Sequence, residues 1–204
     1  MSREKFKSGF RVVFLLVFLG VVIFAVCNMS KNKNVRLDAT KSLPVGVEIA
    51  RYKNIPAYQN GEVVAQSHGK NYAEDGYYYG QKWQCVEYVK RFYHDALGHH
   101  MPSVWGHAAD FFDPEISHGK LNLARGLLQY DNGGDAPPKP DDLLVFRHSQ
   151  YGHVAIVTKV TDKHLEVIQQ NVHGHASAVY PIDKVKGKYT VGGGTKPAGW
   201  LRLP

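Results

Sequence analysis

From Leu143 to the C-terminus the chain is a series of short apolar runs parted by turn residues. The runs are Leu143–Phe146, His153–Val160, His164–Asn171, Ala176–Ile182 and Gly199–Leu203. Each is too short for a stable helix and rich in the residues that suit strands. Thr161-Asp162-Lys163 is a connection short enough to make the second and third runs an antiparallel hairpin. Counting across that turn pairs Val160 with His164 and sets His153 opposite Asn171. Strand side chains alternate between faces. Leu165, Val167, Gln169 and Asn171 therefore share one face, and a polar side chain there can hold the His153 ring in one tautomer.

Upstream the period changes. Cys85, Tyr88, Val89, Phe92 and Ala96 recur at three- and four-residue spacing, so Gln84 to Leu97 is expected as a helix stopped by Gly98. Trp105 to Phe112 is expected as a second, short helix. Asp131 to Pro140, with two Gly and three Pro, is expected as a loop. The fold class read from this order is α+β, with N-terminal helices packed on an antiparallel sheet.

Cys85 falls in the first turn of the expected helix, where backbone N–H groups lack partners and favour negative charge. Such a place suits a nucleophilic thiolate. His153 opens its strand and can act as the general base and acid. Asn171 and Gln169 are candidates to orient it. Gln84, Tyr79 and Gln81 precede the thiol. Gln84 and Tyr79 are candidates for binding an oxyanion or substrate, and Gln81 is expected in loop packing. Lys90 and Arg91 are expected on a solvated helix face. The plain alternatives are a buried structural thiol at Cys85 and a satisfied core imidazole at His153.

The chain has 204 residues and a net charge of +7, with basic residues spread along it and no zinc finger or basic helix. Nucleic-acid binding is not expected. The only other cysteine is Cys27, so no disulfide is expected in the folded domain. The eleven histidines show no recognised zinc spacing, and neither a metal nor a cofactor is expected. Residues 1–11 are a short basic tail. Residues 12–27 carry no charge and are expected as a transmembrane signal anchor. That anchor would fix the protein to the cytoplasmic membrane by a single pass, with the catalytic domain on the extracytoplasmic side. Residues 28–61 are expected as a linker with a short strand near Val45–Ala50, and residues 62–204 as the catalytic domain.

Five stretches together resemble the CHAP family, cysteine- and histidine-dependent amidohydrolases and peptidases. They are Trp83–Tyr88, Asp142–Phe146, Gly152–Val157, Gln169–Val172 and Gly199-Trp200. The resemblance implies a papain-like fold and an amidase or peptidase working through a thioester on Cys85. The implied substrate is cell-wall peptide. A glutathionylspermidine-type polyamine conjugate is the alternative, and a weakened peptidoglycan-binding module using the same groove is a third reading. Two residues depart from the family pattern. Gln169 stands where a glutamate is usual, and Asp141 where a glycine is usual.

Overall fold

The computed structural model describes residues 43–204 except Gly174. Two hairpins precede the helix. The first joins β1 (Glu48–Tyr52) to β2 (Ile55–Tyr58), and the second joins β3 (Lys70–Tyr72) to β4 (Tyr78–Gln81). The helix α1 (Cys85–Leu97) follows, then a single 3₁₀ turn at Ala108–Phe111. Eight strands complete the chain: β5 (Lys120–Asn122), β6 (Leu127–Asp131), β7 (Leu143–Phe146), β8 (His153–Val160), β9 (His164–Ile168), β10 (Ser177–Val185), β11 (Lys188–Val191) and β12 (Gly199–Arg202). They form one antiparallel sheet in the order β11-β10-β9-β8-β7-β12-β6-β5.

Alternation along the central strands builds a core on each face of the sheet. Leu143, Val145, Val154, Ile156 and Leu201 face the helix, where they meet Tyr88, Val89 and Phe92. Leu144, Phe146, Ala155, Val157, Leu165 and Trp200 form the opposite cluster with Ile182 and Val191. Both clusters are almost wholly removed from water, and burial of this kind is the main favourable term in folding. At the far end of α1, Gly98 adopts φ 64°, its N–H returns to the His94 carbonyl and the His99 N–H returns to the Tyr93 carbonyl. That left-handed cap ends the helix where the sequence places its stop.

The expected fold class needs correction. Among the described residues there is one α-helix, not several, and the structure is mostly sheet. The segment Trp105–Phe112 yields only the 3₁₀ turn. Gly106 lies at φ +107°, and Pro114 disfavours helical geometry at Asp113. Six strands lie between residues 48 and 131, and of these only β1 answers to the short strand expected near Val45–Ala50. Two of these, β1 and β2, lie within residues 28–61. Their Ile55 and Ala57 are buried in the core cluster that includes α1.

The expected membrane anchor at 12–27 lies outside the described residues. Among the described residues no helix is long and apolar enough to cross a membrane. The single-pass membrane location and the extracytoplasmic placement are therefore withdrawn.

Candidate active site

The N-cap of α1, Gln84, is extended and makes no side-chain cap, so its side chain takes none of the donors of the first turn. Cys85 is buried there as a free thiol. Burial pushes its pKa up to about 11. Hydrogen bonds from the backbone N–H groups of Val154, Val86 and Cys85 itself pull the other way. The Val154 contact brings the sulfur to β8 one residue from His153.

Gly152 lets the chain enter β8 at this point. It sits at φ +67°, and a Cβ there would fall 2.5 Å from the Phe146 carbonyl oxygen and 2.6 Å from the Ala109 nitrogen. Only glycine fits such a turn. His153 follows, and its Nε2 lies 3.0 Å from Gln169 Oε1. The orientation of the Gln169 amide is fixed by its other end, where Nε2 donates to the His175 carbonyl at 3.1 Å. An oxygen facing the ring requires a proton on His153 Nε2. Nδ1 is then the basic nitrogen of the neutral ring. Burial lowers the His153 pKa to about 4. Gln169 opposes that shift and His148 adds to it.

Cys85 and His153 line one cavity of about 490 Å³. Its walls include Tyr78, Trp105, His107 and Tyr151, and among the described residues no carboxylate lines it. Trp105 is 69 % exposed and stands 5.4 Å from the Tyr78 ring. The cavity is therefore walled by aromatic faces and closed at its floor by the thiol and the imidazole.

The other sequence candidates fall elsewhere. Asn171 lines the cavity but bonds to different partners. Its Nδ2 donates to Gln84 Oε1 at 2.6 Å and to the Val64 carbonyl at 2.9 Å, and its Oδ1 accepts from Asn60 Nδ2 at 2.8 Å. Gln84 donates to the Val64 and Gln66 carbonyls at 3.1 and 2.8 Å. Its amide holds the 64–66 loop over the cavity. Tyr79 points away from the cavity, and its hydroxyl donates to Asp95 at 2.5 Å. Gln81 lines the cavity and accepts from the Ser67 hydroxyl at 2.6 Å. Lys90 and Arg91, expected on a solvated helix face, are buried instead. Arg91 donates to Glu87 at 2.6 Å, and Lys90 donates to the Val104 carbonyl at 2.9 Å.

Sequence reasoning missed the frame behind the thiol. Glu87 is fully buried and accepts from Arg91, from Asn71 Nδ2 at 2.8 Å and from Gln170 Nε2 at 2.7 Å. Gln170 also donates to the Gln84 carbonyl at 3.1 Å and accepts the Tyr58 N–H at 2.7 Å. This network ties the start of α1 to the residue next to Gln169. A fully hydrogen-bonded buried charge is costly to disturb. The signal in the sequence is the pair Glu87 and Arg91 at helical spacing beside the thiol.

Residues 76–171 match the model of the CHAP domain, and they run from the approach to the thiol through the far side of the imidazole. Over that stretch the chain is similar to the CHAP domain, a family whose model implies peptidase or amidase activity. The chain is also similar to trypanothione synthetase of Crithidia fasciculata, at 27 % identity over 165 residues, covering 74 % of this chain and 25 % of that protein. It is 32 % identical over 108 residues to the bifunctional glutathionylspermidine synthetase/amidase of Escherichia coli K12, covering 50 % of this chain and 17 % of that protein. The Shigella flexneri counterpart matches over the same length at the same identity. The chain thus spans a quarter or less of each of these relatives.

Proposed function

We propose that this chain is a cysteine amidase that cleaves a peptide amide through a thioester. The observation that carries the proposal is one cavity holding a buried thiol at a helix start and an imidazole tied through Nε2 to Gln169. Burial keeps both groups neutral at rest. The proton of Cys85 passes to His153 Nδ1 as the sulfur attacks the carbonyl carbon. The carbonyl oxygen becomes an oxyanion facing the N–H groups of the first turn. His153 then gives the proton to the departing amine, and the acyl group remains on sulfur. Water, deprotonated by the same ring, releases the acid and restores the thiol. Gln169 acts by holding the ring in the tautomer that leaves Nδ1 basic.

The relatives point to the substrate. One is named as an amidase of glutathionylspermidine, an amide between a peptide and a polyamine. The acyl side would then be peptide, and it fits an aromatic-walled cavity. A cell-wall peptide is the second reading. The absence of a lining carboxylate among the described residues favours it, because a polyamine in the cavity would have no anionic partner among them.

Purified full-length protein should be incubated in parallel with glutathionylspermidine and with muropeptides, and the products identified by mass spectrometry. Hydrolysis of either substrate, absent in Cys85→Ala, is the expected result and names the acyl group. No product from either, with wild-type protein still retained on peptidoglycan, would replace the enzyme with a binding module.

A further inference from the structure

At the opposite end of α1 three side chains converge that the amidase chemistry does not use. His94 stands in the last turn, Asp75 in the loop before β4, and His100 two residues beyond the helix cap. Their ligand atoms all lie within 4.8 Å of one another. Asp75 Oδ2 is 3.2 Å from His94 Nε2 and 3.1 Å from His100 Nε2. Four ligands at zinc bond lengths of about 2.0–2.1 Å stand about 3.3 Å apart along the edges of a tetrahedron. The observed separations are close to that edge.

Hydrogen bonding between neutral imidazoles and carboxylates does not account for the cluster. His94 Nδ1 already meets Asp95 Oδ1 at 2.6 Å. A neutral imidazole has one proton to give, yet both His94 nitrogens face carboxylate oxygens. The side turned to Asp75 therefore takes either a second proton on His94 or a metal ion in its place. With the ion, the Asp95 contact is the outer hydrogen bond that commonly steadies a metal-bound imidazole. Asp95 is itself held by the Tyr79 hydroxyl at 2.5 Å. Charge counting agrees. Two carboxylates and two neutral imidazoles leave two negative charges, which one divalent cation balances.

The cluster is also braced. The Tyr77 ring stacks on His94 at 5.0 Å and meets His100 edge-on at 5.2 Å. The Tyr77 N–H donates to Asp75 Oδ1 at 2.9 Å, leaving Oδ2 to face the two imidazoles. His100 and Asp75 are both about half exposed, so an ion and a water could enter from solvent.

We propose that Asp75, His94 and His100 bind a divalent transition-metal ion, with imidazole-rich ligation favouring zinc over calcium or magnesium. The ion would clamp three segments. Two of them lead directly into walls of the Cys85 cavity, one through Tyr78 and the other through Val104 and Trp105.

The test is titration calorimetry of metal-stripped full-length protein with Zn²⁺ at pH 7.5, with Ca²⁺ and Mg²⁺ alongside. A Cys85→Ala background removes thiol binding from the signal. One zinc per chain is expected, with no saturable heat from Ca²⁺ or Mg²⁺. His100→Ala and Asp75→Asn, both exposed, should each weaken that event at least tenfold while circular dichroism is unchanged. Co²⁺ in place of zinc should give a visible ligand-field band without thiolate charge transfer, and His100→Ala should abolish it. Zinc binding that His100→Ala leaves unchanged, or no stoichiometric binding at all, would overturn the assignment and leave a plain His–Asp ion cluster.

Discussion

The two ends of α1 hold histidines in opposite electrostatic settings. Cys85 and His94 mark these ends, nine residues apart and about 14 Å along the helix axis. At the N-terminal end the partly buried His153 has a neutral amide as partner, and burial drives its pKa down to about 4. At the C-terminal end burial also lowers the His94 pKa, but hydrogen bonds to Asp95 and Asp75 outweigh it and the net shift is upward. The same side chain is thus a base kept neutral at one end and a cation or ligand at the other. What separates them is the presence of carboxylates, since desolvation acts in the same direction at both. In the proposed reaction, with Gln169 orienting His153, the chemistry starts from the neutral pair, not from a thiolate and an imidazolium.

The comparison can be broken most severely at the thiol. Cys85→Ala should reduce hydrolysis by at least about a thousandfold, because the covalent route is lost. The thermal transition should stay within a few degrees of wild type. Measurable turnover in that variant would remove the N-terminal end from the chemistry altogether.

Glu87→Ala tests the frame that keeps the N-terminal end dry. It leaves Arg91 buried without its partner, and the expected cost is about 3–5 kcal/mol of stability, read by denaturant unfolding. A cost under about 1 kcal/mol would mean that water reaches Arg91 readily.

The neutral pair itself can be checked by alkylation of Cys85 with iodoacetamide across pH. The thiol pKa lies above its ordinary value and that of the imidazole below, so the neutral forms persist between about 4 and about 11. The rate should be slow at pH 7 and climb toward pH 11. Hydrolysis should fall as pH drops toward 4, where His153 becomes protonated and can no longer accept a proton. A flat, fast alkylation profile from pH 5 upward would show a thiolate–imidazolium pair instead.

Gln169→Glu makes the N-terminal end resemble the C-terminal one. A carboxylate 3 Å from the ring should raise the His153 pKa by one unit or more, visible by NMR titration. It should also speed alkylation at pH 7 about tenfold. Asn171→Ala should have the smallest effect. It should leave the His153 titration unmoved and raise KM a few-fold through a looser 64–66 loop.

Much of this contrast could be read from the residues, for definite reasons. The helix was legible because Cys85, Tyr88, Val89 and Phe92 keep one periodicity and Gly98 supplies its stop. The strands Leu143–Phe146 and His153–Val160 emerge with their expected bounds because both are apolar and end in turn residues. The early strands were not legible. Lys70–Tyr72 and Lys120–Asn122 are three residues each and largely polar, so neither shows the apolar run or alternation that marks a strand. The burial of Lys90 and Arg91 was hidden for another reason. Helical spacing pairs Arg91 with Glu87 but does not show that the pair is buried, and Lys90 meets its partner, the Val104 carbonyl, only in the folded chain. In the candidate site, Gln169 meets His153 while Asn171 turns away, with φ at +66°, to bond Gln84. Strand alternation predicts a shared face but cannot foresee that β9 ends at Ile168, before either residue. The cluster of Asp75, His94 and His100 escaped because its members lie nineteen and twenty-five residues apart.

The hairpin of β8 and β9 carries an irregularity at Thr158. Val160 pairs with Leu165 and Lys159 with Glu166, but Val157 pairs with Val167 and Ile156 with Ile168. The turn is thus offset by one residue from a simple count, and the bulge cancels the offset before the strand reaches His153. It works as a phase corrector between the turn at 161–163, which the Thr161 hydroxyl holds by bonds to Lys163 and His164, and the end of the strand that carries His153. Deleting Thr158 would carry the one-residue error down the strand and rotate His153 to the face away from Cys85.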